Sequence, residues 1–267
     1  MLIINKFKLL KTSIYRKSNQ NLFLAVLLIL FSLLARAAIA ETYFTTVLFE
    51  PPPGDGQPET TEGAASRQTG QCKSDLTTAQ AARETKAALS YQNVKLTAVV
   101  PQHNYGLTTQ AHPTFWIYVP QASAEQQLIL SIREEKSSPH WQQSVFATPG
   151  VTGIELSNDA PALEVGKNYQ WAVILVCGER PSPNDPVVAS WIKRVEQPET
   201  DRATTSFGLE DASAYARQGI WYDALDILVA QKPSLPNWNK LWTEYLQSGG
   251  LERIANEPVT NDFLLTK

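Results

Sequence analysis

The chain has 267 residues, 43% of them hydrophobic, and a formal net charge of −3. This composition predicts a packed core rather than a disordered chain. The charge is uneven, because residues 1–40 carry six of the 23 basic residues and none of the 26 acidic ones, which leaves residues 41–267 at −9. An acidic chain without a basic block lacks the surface that binds nucleic acid or an anionic membrane, so neither partner is expected.

The first forty residues have the pattern of an export signal. Basic residues precede an apolar run at 22–34, and Ala38-Ile39-Ala40 provides a small-x-small cleavage site. The run is shorter than the roughly 20 residues that span a bilayer. We therefore predict a signal peptide at 1–40, cleaved before Glu41, and a periplasmic or cell-surface protein; an uncleaved N-terminal membrane anchor is the alternative. The basic residues that precede the apolar run are Lys6, Lys8, Lys11, Arg16 and Lys17.

The chain contains two cysteines, Cys72 and Cys177. An exported protein folds in an oxidising compartment, where an even number of cysteines favours pairing. We predict a Cys72–Cys177 disulfide. The alternative is a buried core thiol at Cys177 and a free thiol at Cys72.

Residues 41–71 are predicted to form a flexible linker. The stretch 51–71 is rich in Pro, Gly, Thr and Glu and has no apolar side chain larger than Ala, so it buries too little surface to offset the entropy of ordering. Residues 75–90 have a helix-forming composition but a weak apolar stripe, which predicts at most a marginal helix.

A β-rich domain is predicted over residues 72–197. Short runs of branched and aromatic residues alternate with turn signals and have no helical segments between them, which is typical of an antiparallel immunoglobulin-like β-sandwich. The runs at 113–120 and 168–177 are apolar on both faces, so they are expected to be central strands. The full set of runs is 94–101, 113–120, 126–134, 152–157, 168–177 and 186–195.

The apolar period becomes helical after residue 197. Apolar residues recur at i, i+3, i+4 and i+7 over 221–228 and 238–246, and an earlier helix is expected to begin near Leu209. The sequence therefore predicts two to four short helices that form a helical hairpin over 198–257, with its Trp face on the sandwich. Residues 258–267 are predicted to be a tail. The predicted fold class is mainly β with a C-terminal α-helical hairpin.

Five blocks of the sequence are distinctive as an ordered set: Arg67-x-x-Gly70-x-Cys72, LTAVVP (96–101), GLTTQAHPTFWIYVP (106–120), YQWAVILVCG (169–178) and YARQGIWYDALDIL (215–228). Together they resemble a family of exported cyanobacterial proteins known as domain of unknown function 928. The resemblance covers roughly residues 67–257. It implies a secreted or periplasmic cyanobacterial protein with a β-rich body and a helical tail, and it implies no activity.

The last of these blocks also resembles part of a tetratricopeptide repeat. A solenoid of such repeats needs about three stacked units, and this sequence has one unit of two helices. The pattern therefore favours a helical hairpin packed on the sandwich. A docking surface for a repeat protein is the alternative.

Motifs for catalysis or metal binding are scarce in this sequence. GxSxG, GxxxxGK[ST], HExxH and CxxC are absent, and Ser190-Trp191-Ile192-Lys193 fits the SxxK spacing only on a predicted strand, where residues three apart point to opposite faces. His103, His112 and His140 lack the spacing of metal ligands, and His112 is expected to order the turn before Pro113. We expect no catalytic site, metal or cofactor.

Five aromatic residues are the candidate binding residues: Trp116, Tyr118, Trp141, Trp171 and Trp191. Exposed rings on a secreted sandwich can stack on sugars or anchor a protein partner, whereas buried rings only stabilise the core, which is the favoured interpretation. Two or more exposed, coplanar rings would support glycan binding. The predicted function is a non-enzymatic exported module that binds another exported or envelope protein, with a cell-envelope glycan-binding protein or hydrolase as the alternative.

Overall fold

The computed structural model describes residues 46–52, 54, 58, 72, 95–120, 126–137, 140–198 and 208–260. These residues form two β-sheets followed by helices, so the chain is mainly β with C-terminal helices, as predicted. No helix within these ranges has the length and apolarity of a membrane span. The strands are β1 (Thr97–Ala98), β2 (Tyr105–Thr108), β3 (Thr114–Val119), β4 (Gln127–Glu134), β5 (His140–Phe146), β6 (Gly150–Glu155), β7 (Asn168–Val176) and β8 (Val187–Arg194), and the helices are α1 (Leu209–Arg217), α2 (Trp221–Ala230) and α3 (Trp238–Ser248).

A five-stranded sheet has the order β2-β8-β7-β4-β5. The predicted central strand β7 lies in the middle of this sheet. One face of β7 carries the buried residues Trp171, Val173 and Leu175. Strands β2 and β8 run parallel, which corrects the expectation of a purely antiparallel arrangement. Side-chain alternation shows which face of a strand is buried but not its direction, and no hairpin joins β2 to β8.

A three-stranded sheet has the order β1-β3-β6. Every residue of the predicted central strand β3 is buried. At the outer edge of β6, Val151 forms a parallel bridge with Val259, and the Thr260 amide donates to the Val151 carbonyl (2.9 Å). Residues 258–260 are therefore part of the folded body, which corrects their assignment to a tail. The apolar side chain of Val259 is buried there.

Strands β2 and β5 were not predicted. The sequence of β5, HWQQSVF, has polar residues at its centre, which gives a weak strand signal. It becomes a strand because every residue from His140 to Phe146 pairs with β4. Pairing partners distant in the sequence therefore decide this element.

The three helices begin and end close to the predicted positions, but α2 is not a surface helix. Buried side chains cover nearly its whole circumference, including Trp221, Tyr222, Leu225 and Leu228. It contacts both β2 and β3, one strand from each sheet. Residues 45–267 form one compact unit, with α2 inside its core.

Residues 46–52 also belong to this core and correct the predicted start of the linker. Val47 and Phe49 are buried, and the Phe49 amide donates to the Ser248 hydroxyl (2.9 Å). The Glu50 amide donates to the Ala216 carbonyl (3.0 Å). The predicted leader, the predicted helix at 75–90 and most of the predicted linker lie outside the described residues.

The predicted disulfide between Cys72 and Cys177 is confirmed, with a Cα–Cα distance of 5.2 Å. Cys177 directly follows β7, and the Gln126 side-chain amide next to β4 lies 3.1 Å from the Cys72 sulfur. The bond therefore fixes residue 72 at one end of the five-stranded sheet.

Candidate functional site

A buried carboxylate, Asp223 of α2, connects the helix to the end of β2. The backbone amide of Thr109 lies 3.1 Å and 3.2 Å from its two oxygens, and the Thr109 hydroxyl donates to the same side chain. Burial raises the pKa of Asp223, while hydrogen bonds from Thr109 and Thr108 oppose that rise. The carboxylate satisfies strand donors that would otherwise be left unpaired in the core.

A second α2 carboxyl, Asp226, connects the same helix to β3. The indole Nε1 of Trp116 donates to it at 2.6 Å. Although part of the residue is accessible, burial of the carboxyl raises the pKa of Asp226 to about 8. The Trp116 hydrogen bond opposes this rise, and the charge of Asp223 contributes to it. The two carboxyls thus anchor α2 to both sheets. The sequence pattern did not reveal these two carboxyls, because apolar spacing predicts a helix that buries only one face.

Carboxyl pairs with separated pKa values can act as general acid and base. Here the hydrogen-bond donors of Asp223 and Asp226 come from the strand residues that flank the helix, so both carboxyls connect elements of the core.

Within the described part of the chain, no group of three or more His, Cys, Asp or Glu side chains converges to hold a metal ion.

We expect Asp226 to make folding stability depend on pH. Its pKa is about 8 in the folded chain against an ordinary aspartate value of 3.8, so the folded state holds the proton more tightly between these two pH values. The contribution of Asp226 to the free energy of unfolding is fully present below about pH 4. It decreases as the pH rises from there through 8, by up to about 1.4 kcal/mol per pH unit. Asp226→Asn keeps an acceptor for Trp116 and should remove that slope, measured by urea unfolding at pH 5, 6.5 and 8.

The control for this prediction is Asp159→Asn in an exposed loop. It should leave the slope of the wild-type protein unchanged. An Asp226→Asn variant whose stability falls with pH as steeply as that of the wild-type protein would contradict the assignment.

The structure excludes three of the five candidate binding aromatics, because their rings are buried. Trp116 and Tyr118 are 1% and 5% exposed, because β3 is covered on both faces, so neither ring can meet a ligand. Trp171 is also buried and donates to the Tyr222 hydroxyl (2.8 Å). Trp141 and Trp191 are half-buried and do not rank among the exposed large apolar side chains, which are Leu48, Phe146 and Val165.

The three histidines occupy different environments. The Nε2 atom of His112 lies 3.1 Å from the Ala160 carbonyl oxygen and ties the turn before β3 to a distant loop. His103 stacks on Phe49 with ring centroids 5.9 Å apart, and burial lowers its pKa. His140 is exposed at the start of β5.

The SxxK match has no catalytic geometry. Ser190 is fully buried in β8, and its hydroxyl donates to the Asn104 carbonyl (3.1 Å). Lys193 lies three residues further along the same strand, where alternation points it to the opposite face.

The outward face of the five-stranded sheet carries a row of apolar side chains. Ile129, Ile174 and Val187 are direct neighbours on β4, β7 and β8, and each is half-buried. On β5, Ser144 lies opposite Ile129, and Phe146, two residues further along, is 51% exposed. We call Ile129, Ile174, Val187 and Phe146 the outer face. The sequence did not predict the outer face, because β5 has a weak strand signal and Ile174 lies in a run that is apolar on both faces.

The model of the family Domain of Unknown Function (DUF928) matches residues 63–259, which include all eight strands and all three helices. The chain belongs to this family. The DUF928 match treats the sheets and helices as one unit, in agreement with the position of α2 in the core. No curated protein matches the sequence significantly.

One solved structure resembles part of this DUF928 chain: the fn3 domain of the human collagen alpha-1(XX) chain, determined in solution. It is 8% identical, and the match covers 37% of this chain and 83% of that domain with a TM-score of 0.24. A likeness this low supports no conclusion.

Proposed function

We propose that this DUF928 chain is an exported, non-enzymatic module that binds another exported or envelope protein through the outer face. The observation that carries the proposal is the uninterrupted row of Ile129, Ile174 and Val187, with the exposed Phe146 beside it. Polar residues border the row on the β4 and β5 side, where Gln127 and Ser131 flank Ile129 and Gln142 and Ser144 lie on β5. An apolar centre with a polar rim is the usual composition of a protein-binding surface.

The compartment assigned in this proposal is the periplasm or cell surface of a cyanobacterium. The leader pattern of residues 1–40 supports export. The Cys72–Cys177 disulfide also supports it, because such bonds persist mainly in oxidising compartments.

The architecture in this proposal is an immunoglobulin-like sandwich with α2 packed against both of its sheets. Phe115 of β3 and Trp171 of β7 support it, because their ring centroids lie 5.1 Å apart and join the two sheets. A non-enzymatic role is supported by Asp223 and Asp226, whose carboxyls are bound by strand donors.

The test of this function is capture of a partner from an envelope extract by cross-linking and pull-down with the full chain. The double variant Ile129→Thr/Ile174→Thr keeps β-branched side chains but makes the centre of the outer face polar, so we expect at least about tenfold less partner to be recovered. Val165→Thr, at an exposed turn residue away from the sheet face, is the matched control and should capture as the wild-type protein does.

Two results would refute the proposal. One is equal capture by the double variant and the wild-type protein. The other is retention of the chain by polysaccharide fractions while no protein is recovered, which would favour a glycan-binding protein instead.

A further inference from the structure

The edges of the two sheets differ in how they are closed. At the β2 edge, the Leu107 amide donates to the Gly219 carbonyl (3.1 Å), just before α2. At the β6 edge, the Val151 amide donates to the Pro258 carbonyl (2.7 Å). Strand β1 is only two residues long. Within the described ranges, β5 is the long edge strand that pairs on one side only.

Strand β5 also lacks the residues that usually protect an edge. Natural edge strands carry Lys, Pro, bulges or inward-pointing charges that prevent pairing with another chain. The β5 sequence HWQQSVF has no Pro, Gly, Lys, Arg, Asp or Glu. Its neutrality is notable in a chain whose residues 41–267 have a formal charge of −9.

The hydrogen-bonding groups at the free side of β5 can be assigned. The Ala147 amide donates to the Gln126 carbonyl (2.8 Å), so residue 147 points its backbone groups toward β4. In an antiparallel ladder alternate residues point the same way. His140, Gln142, Ser144 and Phe146 therefore direct their backbone N–H and C=O groups away from β4, and all four residues are exposed.

We propose that two copies of this chain pair antiparallel along β5 and join their five-stranded sheets into one continuous sheet. One register engages all the outward backbone groups: His140 opposite Phe146 of the second copy, and Gln142 opposite Ser144 of the second copy. In the same register Trp141 lies opposite Val145 of the second copy, which is a favourable aromatic and β-branched pair.

The chain that pairs with β5 is a second copy of this protein, because the strand is complementary to itself under two-fold symmetry. Two acidic chains repel each other over most of their surfaces, and the uncharged β5 is where they can approach closely. The dimer places the outer faces of both copies on one sheet surface. It does not depend on the proposed partner, since the apolar row of each copy remains uncovered.

The test is sedimentation velocity on the full chain, purified after export, over a range of concentrations. We expect the wild-type protein to form a dimer. The variant Gln142→Lys/Ser144→Lys places Lys opposite Lys twice in the dimer and should weaken association roughly tenfold or more. The matched variant Gln142→Glu/Ser144→Lys places Glu opposite Lys twice and should remain dimeric.

Each outcome decides the proposal. A wild-type protein that stays monomeric at all concentrations overturns it, and so does a Lys–Lys variant that associates as tightly as the wild-type protein. A Glu–Lys variant as monomeric as the Lys–Lys variant overturns the register. Equal far-UV circular dichroism of both variants excludes misfolding as the cause. Loss of dimerisation with retained partner capture would leave the proposed function standing, so the two failures are distinguishable.

Discussion

Replacing Trp221 with alanine should destabilise the folded chain by about 5 kcal/mol, at the upper end for a buried aromatic residue. The Trp221 side chain is completely buried at the start of α2. Its ring stacks on Tyr245 with centroids 4.5 Å apart and meets the edge of Phe49 at 4.9 Å. Its indole Nε1 donates to the Val99 carbonyl at 2.8 Å. The substitution therefore leaves a cavity and an unpaired buried carbonyl at once.

This effect is comparable with the whole stability of many domains, which is about 5–15 kcal/mol. Chemical unfolding followed by circular dichroism measures it, and Trp221→Phe supplies a foldable intermediate with a smaller expected loss. Trp191→Ala is the matched control, because Trp191 is half-buried on a sheet face and should cost no more than about 2 kcal/mol. Equal losses at the two positions would show that α2 is not the centre of the core.

Removing the disulfide with Cys72→Ala/Cys177→Ala should lower the free energy of unfolding by about 4 kcal/mol. The two cysteines are 105 residues apart in the sequence, and cross-linking a loop of that length restricts the unfolded chain strongly. The measurement is the free energy of unfolding of the oxidised wild-type protein, the reduced wild-type protein and the double variant.

Reduction serves as an internal control in this experiment. A reducing agent should lower the stability of the wild-type protein and leave that of the double variant unchanged. Full thiol labelling of the non-reduced, denatured protein would contradict the disulfide itself. Equal stability of oxidised and reduced protein would show that the bond adds nothing to folding.

The features predicted correctly from sequence are those with a strong local signal. Strands β3 and β7 are apolar on both faces, which identifies central strands wherever their partners lie. The three helices follow from apolar spacing, and the disulfide follows from cysteine number and the leader.

The features that were missed depend on residues far apart in the sequence. Nothing local in HWQQSVF predicts a strand, and its β4 partner determines its conformation. The parallel direction of β2 is set by β8, more than 80 residues later. The hydrogen-bond donor of Asp223 is Thr109, which lies 114 residues earlier in the sequence. The outer face could be predicted only in part, since alternation in β4 exposes Ile129 but does not reveal Phe146 beside it.

The contact between residues 46–52 and the C-terminal helices has a consequence for biosynthesis. The Phe49 amide meets a hydroxyl 199 residues later, and the ring of Phe49 packs against Trp221. Contacts of such long sequence separation slow folding, because much of the chain must be present before they form. A growing chain cannot complete this core until residue 248 has emerged from the ribosome. Until then Phe49 lacks its hydrogen-bond partner on the last helix, so the native packing of this part of the core is among the last to form.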